Sequence, residues 1–400
     1  MTWAIFSAVA NEMSPSGCSA YIYAQNAYKP YARAPFYQMS EQQIDNATTN
    51  GGTHPAFPFL TGHGGSNQVV LFGYLGLRYI ADDILHVDPN LPPQIPYLKY
   101  RTFYWRGWPI SAWSNNTHTV ISRADSKPLE TADQRFANRS ITIHSGSNSN
   151  YTSYTLPNKG GSVAIPNRRI GAINTIPGNL IQCQPVQSNN TFEPGQFPIA
   201  INDGATSTKW QPSHAANLSA VTISLEQELG QMVTGFHFDW AQAPPINATI
   251  IFHNKSLDNP AQTFTSSSNH HQSGNTTSDA YQIISTLTNI VLSKPYQPNV
   301  TDLDEIMIPI GNTTNVTLAS AVPVARYASL LIVGNQALDE VDVKAKNGTG
   351  ATVAEWAIIG QAQQQNGSSV RWRSETRMLE TRAAARLARA QARGRRWRGV

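Results

Sequence analysis

The 400-residue sequence predicts a multidomain α+β protein, helical at its start and β-rich afterwards. Three observations predict this. Apolar residues recur at helical spacing through residues 1–87, broken at prolines and glycines. An aromatic run with period-two alternation, "KYRTFYWRGWPISAW", marks a change to strands. From about residue 171 to 359, short β-like runs alternate with turn residues at sandwich-like spacing. An apolar content of 40% with 14% charged residues suits folded domains rather than a disordered chain.

The helical part opens with "TWAIFSAVANEM", which stops at Ser14-Pro15-Ser16-Gly17. The stretch "CSAYIYAQNAYKPYARAPFYQMSEQQID" predicts two short helical pieces, broken at Pro30 and Pro35. Ser66 to Leu77 is apolar nearly all round, which predicts a helix buried between others. Gly73 and Gly76 would admit a neighbour at close range. These 87 residues are too few to close a core of their own and read as the end of a larger helical domain.

Just before that helix lies "NGGTHPAFPFLTGHGGSNQ". Backbone N–H groups at a helix start are unpaired, and the helix dipole is positive there. Gly62, Gly64 and Gly65 would let a ligand oxygen, a sugar hydroxyl or a phosphate reach them, with His54 and His63 as added donors. Tight packing is the simpler account of the same glycines. Glu41, in "FYQMSEQ", precedes this loop; alone it reads as a solvated carboxylate. Asp45, Asp82 and Asp83 are no more distinctive.

Among the β segments, Trp105, Trp108 and Trp113 offer aromatic faces for a sugar ring, but a core joining two domains is the simpler reading. His118 has no metal-like partner and reads as structural. In "FHFDWAQAPP" the residues Phe236, Phe238 and Trp240 share one strand face and belong in a core, with His237 and Asp239 facing the other way. The segments "AVTISL", "ATIIFH", "EIMIPI", "NVTLA" and "RYASLLIV" read as further strands.

Charge is unevenly spread. Residues 371–400 hold ten arginines against Glu375 and Glu380, so the first 370 residues carry −4 of a chain that totals +4. Lacking aromatic interleaving, the basic tail reads as a solvated or non-native extension rather than a nucleic-acid site. Two cysteines, Cys18 and Cys183, make no disulfide framework and do not fix the compartment. Fourteen Asn-x-Ser/Thr sequons lean toward the secretory pathway. The N-terminus lacks a basic n-region and a cleavage site, so no signal peptide is read there. No apolar run reaches transmembrane length. No EF-hand or Cys/His spacing appears, so neither metal nor cofactor is expected.

Several blocks carry a resemblance: "SPSGCSAYIY", "YARAPFYQMSEQ", the glycine-rich stretch through "VVLFGYLGLR", "DPNLPPQIPYLKYRTFYWRGWPISAWSNNTHT" and "IAINDGATSTKWQPS". Over roughly residues 1–360 the chain resembles the fungal acid trehalases of glycoside hydrolase family 65. The resemblance implies the C-terminal part of an (α/α)6 catalytic barrel at 1–90, a small β domain at 91–165 and a discoidin-like β-sandwich at 166–362. The Arg/Ala-rich tail, 363–400, falls outside it. It also implies inverting hydrolysis of α,α-trehalose to two glucoses. That chemistry uses two carboxyl groups roughly 6.5–9.5 Å apart, one protonating the leaving oxygen and one activating a water.

The segment similar to "FYQMSEQ" places the general base on Glu41, which as a base works ionised. Thr61, Gly62, His63, Gly64 and Gly65 match the place where related phosphorylases hold phosphate, and where a hydrolase holds its attacking water. His54 matches a phosphate-contacting histidine of those relatives. The family's general acid lies upstream of anything resembling residues 1–87. The resemblance therefore implies a chain beginning at a methionine internal to the family, and lacking the acid. It further implies a secreted, periplasmic, cell-wall or vacuolar protein acting on a disaccharide. A calcium ion at Asp203, in the Asp203-Gly204 turn, is a weaker expectation. The rival readings are a non-catalytic carbohydrate- or wall-binding protein acting through the sandwich, and a hydrolase of another α-glucoside.

Overall fold

In the helical part, one helix turns polar atoms inward. The computed structural model describes residues 2–14, 16–147, 150–158, 160–168, 174–268, 277–278, 280–292, 312–337 and 348–360. Thr2–Met13 (α1) and Ser19–Tyr28 (α2) are helices where the spacing predicts them. The inner side of α1 carries Ala4, Ser7 and Asn11. Ser7 donates to the Ala20 carbonyl at 2.7 Å, and the Asn11 amide donates to the carbonyls of Gly73 and Asn90 at 3.0 and 2.7 Å. Its apolar side chains Ile5, Phe6, Val9 and Met13 face outward and are 46–77% exposed. Small polar residues are needed inside because the backbones nearly touch: a Cβ on Gly73 would lie 3.2 Å from Ala8 Cα. The carbonyls met there also need donors.

The second predicted helical piece is instead a hairpin, Ala32–Arg33 (β1) paired with Gln38–Met39 (β2). Pro35 cannot donate a backbone hydrogen bond and disfavours a helical residue before it, so the chain turns. The third helix begins at Leu60, not Ser66. It runs to Gln68 (α3) and widens into a π turn over Val69–Tyr74. The glycines at 62, 64 and 65 are therefore inside the helix rather than ahead of it. The helix ends at Gly76, whose φ of +63° and closeness to the Asp88 carbonyl, 2.3 Å from any Cβ, admit only glycine.

The chain then alternates strands: Ile84–Val87 (β3), Tyr97–Lys99 (β4), Phe103–Trp105 (β5), Trp108–Asn115 (β6), His118–Arg123 (β7), Ile141–Ser147 (β8), Asn150–Leu156 (β9) and Ser162–Pro166 (β10). One sheet has the order β10-β7-β6-β4 with β5 on β6; the other is β3-β8-β9, with β3 parallel to β8. Residues 84–87 are thus strand where helix was expected. A single hydrophobic cluster runs from Ala4, Ala24 and Val69 through Leu85, Trp105 and Ile110 to Ile165. The helices and these sheets share that core. Trp105 is buried in it and Trp108 packs against it, whereas Trp113 is 37% exposed beside Tyr97. His118 is exposed and bonded locally to Thr117.

Residues 174–360 contain Val186–Gln187 (β11), Ser219–Ser224 (β12), Met232–Asp239 (β13), Asn247–His253 (β14), Thr277–Ser278 (β15), Tyr281–Leu287 (β16), Thr313–Pro323 (β17), Tyr327–Val333 (β18) and Glu355–Gly360 (β19). They form a six-stranded sheet, β11-β12-β18-β14-β16-β15, and a three-stranded sheet, β17-β13-β19. A core of Trp210, Phe236, Phe238, Trp240 and Trp356 with aliphatic residues from both sheets fills the space between. Phe238 stacks on Trp240 at 4.5 Å, as the shared strand face predicts. One helix interrupts the strands, Pro260–Ser268 (α4), with Asn259 capping the Gln262 N–H. The segment "EIMIPI" and the tail at 363–400 lie outside the described residues.

Ser16, Cys18 and the Asp203-Gly204 turn join the two cores. Cys18 and Cys183 form a disulfide across 165 residues. The Ser16 hydroxyl donates to the Asp203 carbonyl. Both Asp203 carboxylate oxygens are engaged, accepting from the Ala205 N–H at 2.9 Å and the Thr208 hydroxyl at 2.7 Å. Beside it the Glu355 carboxylate accepts from the Gly204 N–H at 3.0 Å, and its other oxygen is buried without a partner among the described residues. Burial pushes the Asp203 carboxyl up to about 7. Burial and then the neighbouring Asp203 charge push Glu355 well above the usual carboxylate range.

Closing a loop of this length stabilises by ~5 kcal/mol in the chain-entropy picture. Replacing Cys18 and Cys183 by serine should lower unfolding stability by about 3–5 kcal/mol in denaturant titrations. A second expectation concerns pH. Between about pH 4 and 7 folded Asp203 keeps its proton, while the unfolded side chain has lost it. The native state then binds more protons, so stability falls as pH rises. Asp203→Asn should remove about one proton from that slope, ~1.4 kcal/mol per pH unit. Urea unfolding at a series of pH values reads it.

Candidate functional site

Glu41 follows the second strand of the β1–β2 hairpin. Its backbone N–H donates to the Ala56 carbonyl at 3.0 Å, and its carboxylate accepts the Ala56 N–H at 3.0 Å. This double clasp fixes the loop at 53–58 over the carboxylate. The second carboxylate oxygen has no hydrogen-bond partner among the described residues. Two more bonds tie the strand to the helix start: the Phe59 N–H donates to the Met39 carbonyl at 2.7 Å, and the Met39 N–H donates to His63 Nε2 at 3.1 Å. The His63 imidazole accepts this bond through Nε2. It is a strut between strand and helix, a use that spacing alone did not suggest.

These contacts enclose a cavity of about 20 Å³, lined by Tyr31, Ser40, Glu41, Phe59, Gly62 and Ser66 over a floor of small and apolar side chains. One water molecule needs ~10–15 Å³. The first turn of α3 has no side-chain cap at Phe59, so the N–H groups of Leu60, Thr61 and Gly62 remain for solvent or ligand. Gly62 is also required by packing: a Cβ there would sit 2.8 Å from the Phe59 ring and 3.4 Å from Met39 Sδ.

Of the residues singled out from sequence, Glu41 and Gly62 border this one cavity. Thr61 and Gly64 are exposed on the helix, Gly65 is buried within it, and His54 is exposed in the clasped loop. Tyr31, Ser40 and Phe59 line the cavity and were not anticipated. Ser40 sits next to Glu41 in sequence, but no motif marked it.

Glu41 is the sole carboxylate in the cavity lining. The other aspartates considered from sequence are engaged elsewhere. Arg33 pairs with Asp45 at 2.6 Å, and this bond, aided by the Ser40 hydroxyl, holds the Asp45 carboxyl below the usual range. Asp82 pairs with His86, and Asp83 with Arg106 and Arg135. An ionised carboxylate locked to a guanidinium cannot donate a proton to a leaving oxygen. In the sandwich, both Asp203 oxygens, where a calcium ion was considered above, accept hydrogen bonds within their own turn. Among the described residues no group of three His, Cys, Asp or Glu side chains is placed to hold a metal.

Residues 77–137 match the family described as glycosyl hydrolase family 65, C-terminal domain. The chain is similar to the acid trehalase of Emericella nidulans, 60% identical over 364 residues, which cover 90% of this chain and 33% of that protein. It is 56% identical over 363 residues to the cell wall acid trehalase of Arthroderma benhamiae, covering 90% of this chain and 34% of the relative. Chitosan-binding module 2 of a Paenibacillus chitosanase/glucanase superposes over 46% of this chain and all of its own, at a TM-score of 0.29 and 14% identity, a likeness that decides nothing about the fold. The chain spans about a third of the length of the curated relatives it matches.

Proposed function

We propose that this chain supplies the base side of an inverting α,α-trehalase. Glu41 is the general base. The clasp to the Ala56 N–H holds its carboxylate still, and the unpartnered oxygen takes a proton from the water that attacks the anomeric carbon. The N–H groups at the start of α3, with Thr61 and the turn through Gly65, hold that water or an adjacent sugar hydroxyl, and His54 contacts the sugar from the loop. The observation that carries this reading is that Glu41 and Gly62 border one cavity with room for a single water.

The reading assigns the general acid to polypeptide outside this chain, since Glu41 is alone in the cavity lining and Asp45, Asp82 and Asp83 are committed to cations or histidine. The outward stripe of Ile5, Phe6, Val9 and Met13 on α1 supports it: a contiguous exposed apolar helix face calls for a covering neighbour. On this proposal residues 1–90 complete a barrel, 91–165 form a β domain and 166–362 a discoidin-like sandwich. The Cys18–Cys183 disulfide and the sequon density support export, to the cell wall or beyond it, and the relatives are named accordingly.

The test is Glu41→Gln in the gene product as its cell makes it. Glucose release from α,α-trehalose should fall about 10²–10⁴-fold, with the melting temperature unchanged. Retained turnover removes Glu41 from the role of base.

A further inference from the structure

A second, larger cleft lies where α2 meets the sandwich, and the hydrolytic reading does not use it. Its volume is about 380 Å³ and it is open to solvent. Lys29, which caps the C-terminus of α2, lines it together with Gln187, Asn189, Phe192 and Phe197. The Phe192 ring is 38% exposed and packs edge-on against Phe197 at 5.7 Å, while the Lys29 ammonium lies 5.1 Å over the Phe197 ring. The side chains of Lys29 and Gln187 donate no hydrogen bond among the described residues. An exposed aromatic face beside spare amide and ammonium donors is a surface for a pyranose ring, which has an apolar face and a rim of hydroxyls. The volume is at the small end of the ~300–1,000 Å³ usual for small-ligand sites.

Asn189 is in the cleft wall, is exposed, and heads the sequon Asn189-Asn190-Thr191, directly followed by Phe192. We propose that Asn189 carries an N-linked glycan whose first N-acetylglucosamine seats in this cleft against Phe192, with Gln187 and Lys29 binding its hydroxyl or acetamide oxygens. The modification transfers an oligosaccharide from a lipid-linked diphosphate donor. The bond from Asn189 Nδ2 to the sugar C1 forms. The C1–O bond to diphosphate breaks, the diphosphate leaves with the electron pair, and Nδ2 loses one proton. The remaining N–H still donates to the Asp258 carbonyl, as Asn189 does now, and so directs the sugar. A tethered ring needs little intrinsic affinity, because the linkage supplies a high effective concentration. The glycan would bridge the helical part and the sandwich beside the disulfide, bonding to α2 through Lys29.

The proposal is independent of trehalose turnover, which is not a readout here. The full chain is expressed in a host that performs N-glycosylation. After enzymatic deglycosylation in ¹⁸O water, mass spectrometry of the Asn189 peptide should show conversion to labelled aspartate. Phe192→Ala should lower the melting temperature by about 2–4 °C in glycosylated protein. The same substitution should have less effect with Thr191→Ala, which abolishes the sequon and keeps Asn189. Glycan at other sequons with Asn189 unmodified overturns the proposal. So does a Phe192→Ala effect that is equal in the glycosylated and sequon-less proteins, which would mean a glycan that does not seat. Binding of free chitotriose to the sequon-less protein, with Asn189 unmodified in the parent, would assign the cleft to a soluble saccharide instead.

Discussion

The chain on either side of the Glu41 carboxylate cannot move independently of it. Two reciprocal bonds to Ala56 hold the loop at 53–58, and the Met39 backbone is pinned at one end by Phe59 and at the other by His63. Each bond is worth about 1 kcal/mol net. Together they fix strand, carboxylate, loop and helix start as one unit. The glycine at 62 belongs to the same constraint, since any side chain there would push Phe59 out and open the cavity. At this position the glycine that packing requires also lines the cavity.

The same economy appears at the junction of the two cores. Asp203 spends both carboxylate oxygens on its own turn and its carbonyl on Ser16, leaving Glu355 one unpartnered buried oxygen. Two carboxyls in a site this dry favour protonation. The cost of ionising them is avoided in an acidic medium and rises toward neutrality. The seam, locked by the Cys18–Cys183 disulfide, therefore holds best when its carboxyls are protonated.

Much of this was legible in residues whose local physics leaves little choice. The break at 14–17, the strand face of Phe236, Phe238 and Trp240, and the close approaches at Gly73 and Gly76 follow from propensity and steric room. The hairpin at 32–39 was not legible as a strand pair: two-residue strands give no periodicity, and the prolines only announced a break. The start of α3 was misplaced because glycine's low helix propensity argued against residues 60–65, and tertiary packing of Gly62 and Gly65 outweighed it. The helix at 260–268 had a signal, an asparagine cap followed by proline, hidden among strands. Of the two predicted residues that border the cavity, Gly62 was marked by its glycine-rich stretch and Glu41 only by resemblance. Ala56, His63 and Ser40 act through backbone bonds or bare proximity, which no residue pattern encodes.

The polar interior of α1 ties the chemistry to the architecture. A helix of this apolar content, standing free at the edge of a protein, would turn Ile5, Phe6 and Val9 toward the core. Here Ser7 and Asn11 take that side, because the backbone of the π turn approaches too closely for anything larger and offers carbonyls that need donors. Reversing the helix would bury branched side chains against Gly73 and strand those carbonyls. The outward stripe is thus not an accident of surface composition but the consequence of a fixed inner face. On the proposed reading, whatever covers that stripe extends the helical wall beside α3. The residue that protonates the leaving sugar would be carried on that wall, opposite Glu41.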